Sequence, residues 1–379
     1  MITQLRRILD RAIPSSANGG LHSDRPLLVF QSDDWGRVGV RDREGWDELH
    51  AAGLALGDSP YDFYSLETAE DVIALRETLG RHRDSAGRNP SMVMNFIMAN
   101  VDFDRGLASC EKEIPLVPLS DGFPGQWRRP HLFEAYRQGI KDGVFYPALH
   151  GLTHFCAPAV KRDLEVGGER AELIRKMWKA QTPYIHWRMP WIGYEYWDRE
   201  VEPERRLLTL DEQRSAVSNA AAIYQTFFGA APFSACAPGY RANADTRAAW
   251  FECGIRISQN GPDRKAPHFD EQGILHTFRT IEMEPAIAHV DLKRLVAAVG
   301  ECFVRGLPAV VSVHSINFHS TIRDYRTPTL TLLGEFLTAL KKKWPTLLYV
   351  NDADLYQIAS RGFYFAQDSR VDVGVTARA

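Results

Sequence analysis

Seven short apolar runs punctuate the chain, and helical periodicity fills much of the sequence between them. The runs are PLLVFQS (26–32), SMVMNFIMAN (91–100), GVFYPALH (143–150), APFSACAPG (231–239), GIRISQN (254–260), LPAVVSVHS (307–315) and LLYVND (347–352), and each reads as a strand. TAEDVIALRETLGRH (68–82) and TLDEQRSAVSNAAAIYQTFFG (209–229) read as helices, as do VDLKRLVAAVGECFVRG (290–306) and TPTLTLLGEFLTALKKKW (327–344). The spacing of Thr209 and Glu212 predicts a capping box, and Gly229 stands where a helix C′ residue belongs. Strands alternating with helices on this scale imply a parallel sheet covered by helices, either a barrel or an open doubly wound sheet. No G-x-G-x-x-G follows the first strand, which removes the main support for a dinucleotide fold. In a barrel, chemistry gathers at the C-terminal ends of the strands.

Three strand ends carry residues able to bind a metal or move protons. The first ends in Asp33 and Asp34, the third in HGLTH with His150 and His154, and a late one in SVHS with His314. Two like charges as close as Asp33 and Asp34 repel, so the pair calls for solvent or a cation. Histidines at i and i+4 share one face of a helical turn and can hold one ion between them. Adding one carboxylate leaves coordination positions open, as in a catalytic metal site. Either feature alone has a plainer meaning, a surface histidine pair or an aspartate turn. Their joint placement at successive strand ends favours a site.

Composition narrows the class. The 379 residues are 45% hydrophobic and 25% charged with a net charge of −3, a globular balance that offers nucleic acid no basic surface. Residues 1–25 read as a short amphipathic helix and linker, 26–360 as a single domain, and 361–379 as a C-terminal tail, frayed from 365. No stretch approaches the roughly 20 apolar residues of a membrane span. Five scattered cysteines without a C-x-x-C pair suggest reduced thiols, and with no signal-peptide core the expected location is cytoplasmic.

SDDWG, HGLTH, APGYRAN and SVHS resemble the ordered motifs of the polysaccharide deacetylase family, carbohydrate esterase family 4, over roughly residues 26–358. The resemblance implies a distorted (β/α) barrel of about seven strands. It implies that Asp34, His150 and His154 hold a divalent metal, most readily zinc, with cobalt, nickel or manganese as alternatives. Asp33 is then the general base, His314 the general acid, and Arg241 the arginine that orients the base. The sequence departs from the pattern at Trp35, which intervenes before Gly36, and at Pro238 and Gly239, which precede Arg241 instead of a proline following it. No Asp-x-x-Asp-Trp motif stands ready to orient the acid; Glu282 and Glu284 are the candidates.

The activity implied is removal of an acyl group, N-acetyl above all, from a carbohydrate or glycoconjugate. A non-sugar amide hydrolase and a non-catalytic carbohydrate binder are the alternatives. Trp35 and Tyr240 beside the motifs, with Trp187 and Trp191 in an aromatic-rich insertion at about 177–205, are the candidate substrate contacts, since aromatic faces suit sugar rings. Trp127, Arg128 and Arg129 could extend the same rim.

Overall fold

A computed structural model describes residues 20–376 except 55, 109–112, 186–188, 190–191 and 367. The N-terminal helix expected within residues 1–25 therefore falls almost wholly outside the described residues, as do Trp187 and Trp191.

All seven predicted strands form. They are β1 (Leu27–Trp35), β2 (Met92–Ile97), β3 (Phe145–Gly151), β4 (Ser234–Cys236), β5 (Ile257–Pro262), β8 (Ala309–His314) and β9 (Leu348–Tyr349). Two further strands, β6 (Leu275–Arg279) and β7 (Ile281–Glu282), are one extended run interrupted at Thr280. The sheet runs β7–β8–β1–β2–β3–β4–β5–β6 with these strands all parallel, and His268–Phe269 pairs antiparallel with the start of β6. The β6–β7 run pairs with β5 through its first half and with β8 through its second, and the Thr280 amide donates to the Val310 carbonyl at 3.0 Å. The strands thus close into a ring of seven, a (β/α) barrel. β9 pairs only with the first residues of β1.

Helices cover the outside. Among them are α1 (Ala69–Gly80), α2 (Leu132–Lys141), α3 (Ala157–Val166), α4 (Leu210–Phe228), α5 (Leu292–Val304), α6 (Arg326–Lys343) and α7 (Asp352–Arg361). The caps are those the sequence announces. Thr209 and Glu212 form the capping box of α4, and Gly229 ends it at φ +78°, where a residue with a Cβ is strained.

Side chains alternate across each strand, and on the inward face they change from apolar to polar toward the C-terminal end. β1 presents Leu27, Val29, Gln31 and Asp33 in turn, β6 presents Leu275, Thr277 and Arg279, and β8 presents Val310, Ser312 and His314. The lower members form one apolar cluster with Ile257 and Leu348. The opposite face, with Leu28, Phe30, Met92 and Met94, packs into the larger core beneath the helices. The barrel therefore has an apolar floor and a polar mouth.

The tail does not fray within the described residues. Phe363–Ala366 and Ser369–Asp372 form an antiparallel hairpin, and Val375–Thr376 pairs with His22–Ser23. Tyr364 and Val373 are buried against the barrel floor, which supplies the packing energy a polar tail would lack. In the aromatic-rich insertion, Trp178, Tyr184 and Tyr196 are buried in the main core. No helix among the described residues is long and apolar enough to cross a membrane.

Candidate active site

The site begins with a slip in register. Ser32 pairs with Met94 and Trp35 with Phe96, so β1 holds one residue more than β2 over the same span. This is a bulge, and Asp34 takes it up at φ +74°. The slip turns Trp35 outward into the layer of Leu28 and Phe30, where it is fully buried and stacks on Phe318 at 5.8 Å. Its indole N–H donates to Ser32 Oγ at 2.9 Å. Trp35 is thus a core residue and not the substrate-contacting wall the sequence suggested. Burying that ring offsets the strain at Asp34, and the bulge lets both carboxylates reach the mouth of the barrel. Tyr64 and Ser315 hydroxyls hold the Asp34 carbonyl, and Glu67 accepts the Gly36 amide at 2.9 Å.

β3 carries a second slip, between Phe96 and Ile97 of its neighbour, which places the extra residue at His150. HGLTH is not a helical turn, and α3 begins only at Ala157. Glu195 Oε1 accepts the amides of Leu152 and Thr153 at 3.0 and 3.2 Å and holds the segment as a loop. Gly151 is required there, at φ +155°, because a Cβ would strike Glu195 Oε2. Burial pushes the Glu195 carboxyl up to about 8.

The loop nevertheless brings the two histidines together at Asp34. His150 Nε2 lies 3.4 Å and His154 Nε2 2.9 Å from Asp34 Oδ1. That oxygen is buried and neither nitrogen makes an aligned hydrogen bond to it. Three ligand atoms converging within 4.8 Å of one another around an unpartnered acceptor fit a cation. His150 Nδ1 lies 2.8 Å from the Cys236 carbonyl, so it donates there and frees Nε2 for an ion. A second grouping, Asp33 with His150 and Cys236, is less suited. Arg279 already claims Asp33, and burial raises the Cys236 thiol well above its usual range, against the thiolate a metal needs. Burial tends to raise the Asp34 carboxyl, but Arg37 and the two histidines outweigh it and hold the group well below the usual range. Burial brings His154 down to about 4.

Asp33 has a different environment. Arg279 grips both its oxygens, Nη1 to Oδ2 at 2.7 Å and Nη2 to Oδ1 at 2.5 Å. Asn95 donates a third bond at 2.8 Å. Burial works to raise this carboxyl, yet Arg279 prevails and keeps it ionised. The arginine that pairs with Asp33 is therefore Arg279, not the expected Arg241. Arg241 is exposed and lies over the Trp197 ring, 4.6 Å from its centroid. Tyr240 does reach the site: its hydroxyl accepts from Arg279 Nη1 at 2.8 Å. Beneath Asp33, the Asn95 and Gln259 amides pair reciprocally, and Gln259 and Gln31 donate to the buried Asp352 at 2.8 and 2.9 Å.

His314 faces this carboxylate from β8, its Nε2 3.9 Å from Asp33 Oδ2. Glu284 accepts from its Nδ1 at 2.7 Å and is itself held by Asn317. Glu284 is thus the partner the sequence left open, while Glu282 is exposed. Burial would lower the imidazole, but Glu284 outweighs it and lifts His314 to about 9, protonated at neutral pH. Trp127 is buried with its indole on the Gln181 carbonyl, and Arg129 bonds to the carbonyls of Leu66 and Arg41, so neither forms a substrate rim.

Replacing Glu284 with glutamine removes the charge that raises His314. An NMR pH titration of the metal-free protein is expected to find His314 near 9 in the wild type and well below that in Glu284→Gln. Because the folded pKa is raised above 6.5, this pair stabilises the fold fully below pH 6.5, and the contribution fades as pH rises through 9. The stability gap between the two proteins should therefore narrow on the alkaline side.

No protein-family model matches the sequence, and no curated protein matches it. Solved structures similar to the chain include a protein provisionally assigned as a polysaccharide deacetylase from Mycobacterium smegmatis, 12% identical with a TM-score of 0.43, covering 92% of this chain and 93% of that one. A family 4 carbohydrate esterase from Streptomyces lividans is 11% identical with a TM-score of 0.33, over 86% and 91% of the two chains. A pseudoenzyme of that family from Bacillus anthracis is 10% identical with a TM-score of 0.38, over 93% and 69%.

Proposed function

We propose that the protein is a metal-dependent hydrolase that removes an acyl group, N-acetyl above all, from a carbohydrate or glycoconjugate. One observation carries the reading. A convergent Asp34–His150–His154 ligand set, an ionised Asp33 clamped by Arg279 and a protonated His314 backed by Glu284 meet at one barrel mouth.

Each residue's part follows from its surroundings. Asp34, His150 and His154 would hold a divalent ion, with zinc best suited to the nitrogen and oxygen donors. When bound, such an ion polarises an acyl carbonyl and acidifies a water beside it. Asp33 is kept ionised and fixed by Arg279 and Asn95, so it can take a proton from a water attacking the acyl carbon. As the carbon–nitrogen bond breaks, His314 delivers its Nε2 proton to the leaving amine and Glu284 stabilises its cationic form beforehand. The products are a carboxylic acid and a free amine. Tyr240 at the mouth, and the Tyr194–Trp197 pair packed at 4.7 Å beside Arg241, supply aromatic surface suited to a sugar ring.

The test is acetate release from N-acetylated oligosaccharides, read together with elemental analysis. Turnover is expected to fall to background after chelation and to return with added zinc or cobalt. Acetate release that survives complete metal removal overturns the reading.

A further inference from the structure

The two candidate metal-binding histidines are prepared oppositely, and the cause is Arg37. This residue lies three positions beyond Asp34, almost wholly buried, with its guanidinium 4.0 Å from the Tyr64 ring centroid. Its Nη1 donates to Asp34 Oδ2 at 2.9 Å and lies 3.1 Å from His154 Nδ1. A guanidinium has donors only, so His154 Nδ1 must accept. The single proton of a neutral His154 then sits on Nε2, the atom that faces Asp34 Oδ1 at 2.9 Å. At His150 the order is reversed, because its Nδ1 faces a carbonyl that can only accept. A ligating histidine ordinarily donates its far N–H to an acceptor. His150 is arranged this way and His154 is not.

We propose that Arg37 is an internal cation that competes with the divalent ion for Asp34 and His154, and so sets how tightly this site holds metal. The inference rests on the metal-site reading above. For His154 to ligate through Nε2 while neutral, its proton must move to Nδ1, and that requires parting from Arg37. The buried Arg37 Nε has no hydrogen-bond partner among the described residues, so the side chain is held by two polar contacts and by the rings of Tyr64 and Tyr184. Its positive charge beside the ligand set also repels a second cation. Metal affinity is then lower than three such ligands would otherwise give.

The experiment is a zinc titration of metal-free wild type and Arg37→Met against a chromophoric chelator, with circular dichroism to follow the fold. Methionine keeps the buried bulk without donors or charge. Arg37→Met is expected to bind zinc about 10- to 100-fold more tightly. Equal or weaker binding by the variant, with the wild type binding zinc, overturns the role of Arg37 and leaves the metal site standing. Binding by neither protein overturns the metal reading itself. A measurement on the wild type alone covers the case in which the variant misfolds. Long-range proton–nitrogen NMR of the metal-free protein should show His150 protonated on Nδ1 and His154 on Nε2. A proton on His154 Nδ1 overturns the proposal.

Discussion

Arg279→Met is expected to abolish turnover and to destabilise the protein by about 3–5 kcal/mol, the cost of leaving one partner of a buried ion pair alone. Arg279 is 1% exposed, and its guanidinium binds both oxygens of Asp33, the Tyr240 hydroxyl, Ser312 Oγ and the Gln259 side chain. Methionine fills similar volume and satisfies none of them. The pH dependence distinguishes this cause from simple loss of packing. In the wild type Asp33 is depressed below the ordinary 3.8, so its contribution is present above that pH and is lost as pH falls through the lowered value. Without Arg279, burial is opposed only by His150, His314 and the Asn95 hydrogen bond, and the Asp33 pKa rises. Protonation then relieves the buried charge, so the variant should gain stability on acidification from neutrality while the wild type does not. Arg279→Lys should recover part of the stability and little of the turnover, because an ammonium cannot make the two parallel bonds of the guanidinium fork. Thermal unfolding across pH 4 to 8 checks the stability, and acetate release checks the turnover. A variant equally destabilised at every pH would mean that Arg279 acts by packing alone.

Arg279 also shows where sequence reasoning stopped. The seven apolar runs mark seven strands, but Leu275–Glu282 has an apolar residue only at every third position, Leu275, Phe278 and Ile281, and neither an apolar run nor a period of two marks it. Its burial has a period of two, with Leu275, Thr277, Arg279, Ile281 and Met283 buried. An arginine in phase with the inward-facing Leu275 and Thr277 is the available signal, since a buried cation requires a carboxylate. The motif points to Arg241, yet this residue sits on a turn after β4 and lies against the surface aromatics. The Asp34–His150–His154 cluster is legible for the opposite reason: Asp34 and His150 stand at strand ends and His154 in the loop just beyond, where the barrel rule places chemistry. The bulges that aim them were not legible, because whether an extra residue enters a strand depends on its neighbour's register. Trp35 was therefore misplaced by one step of alternation. Glu195, which holds the histidine loop, was hidden among aromatics more than 40 positions from His150. The gradient from Val29 through Gln31 to Asp33 was present in the sequence but gains meaning only when β6 and β8 repeat it.

Asp33→Asn and Asp34→Ala should separate the two adjacent carboxylates. Asparagine at 33 keeps an oxygen for Arg279 or Asn95 but can no longer take a proton. It is expected to retain metal and to lose turnover by about 10²- to 10⁴-fold, the usual contribution of a positioned base. Asp34→Ala is expected to lose the metal outright, because it removes the oxygen on which both Nε2 atoms converge. It also leaves Arg37 without its carboxylate, so its stability should fall further than that of an exposed substitution. The same polar mouth thus gives two readouts, metal content and rate, that should part company between neighbouring residues. The parting follows from the bulge: Arg279 holds Asp33 from the barrel interior, while Asp34 is turned toward the histidine loop. Metal loss in both variants alike would mean that the two carboxylates share the ion. A near-normal rate for Asp33→Asn would assign proton removal to another group.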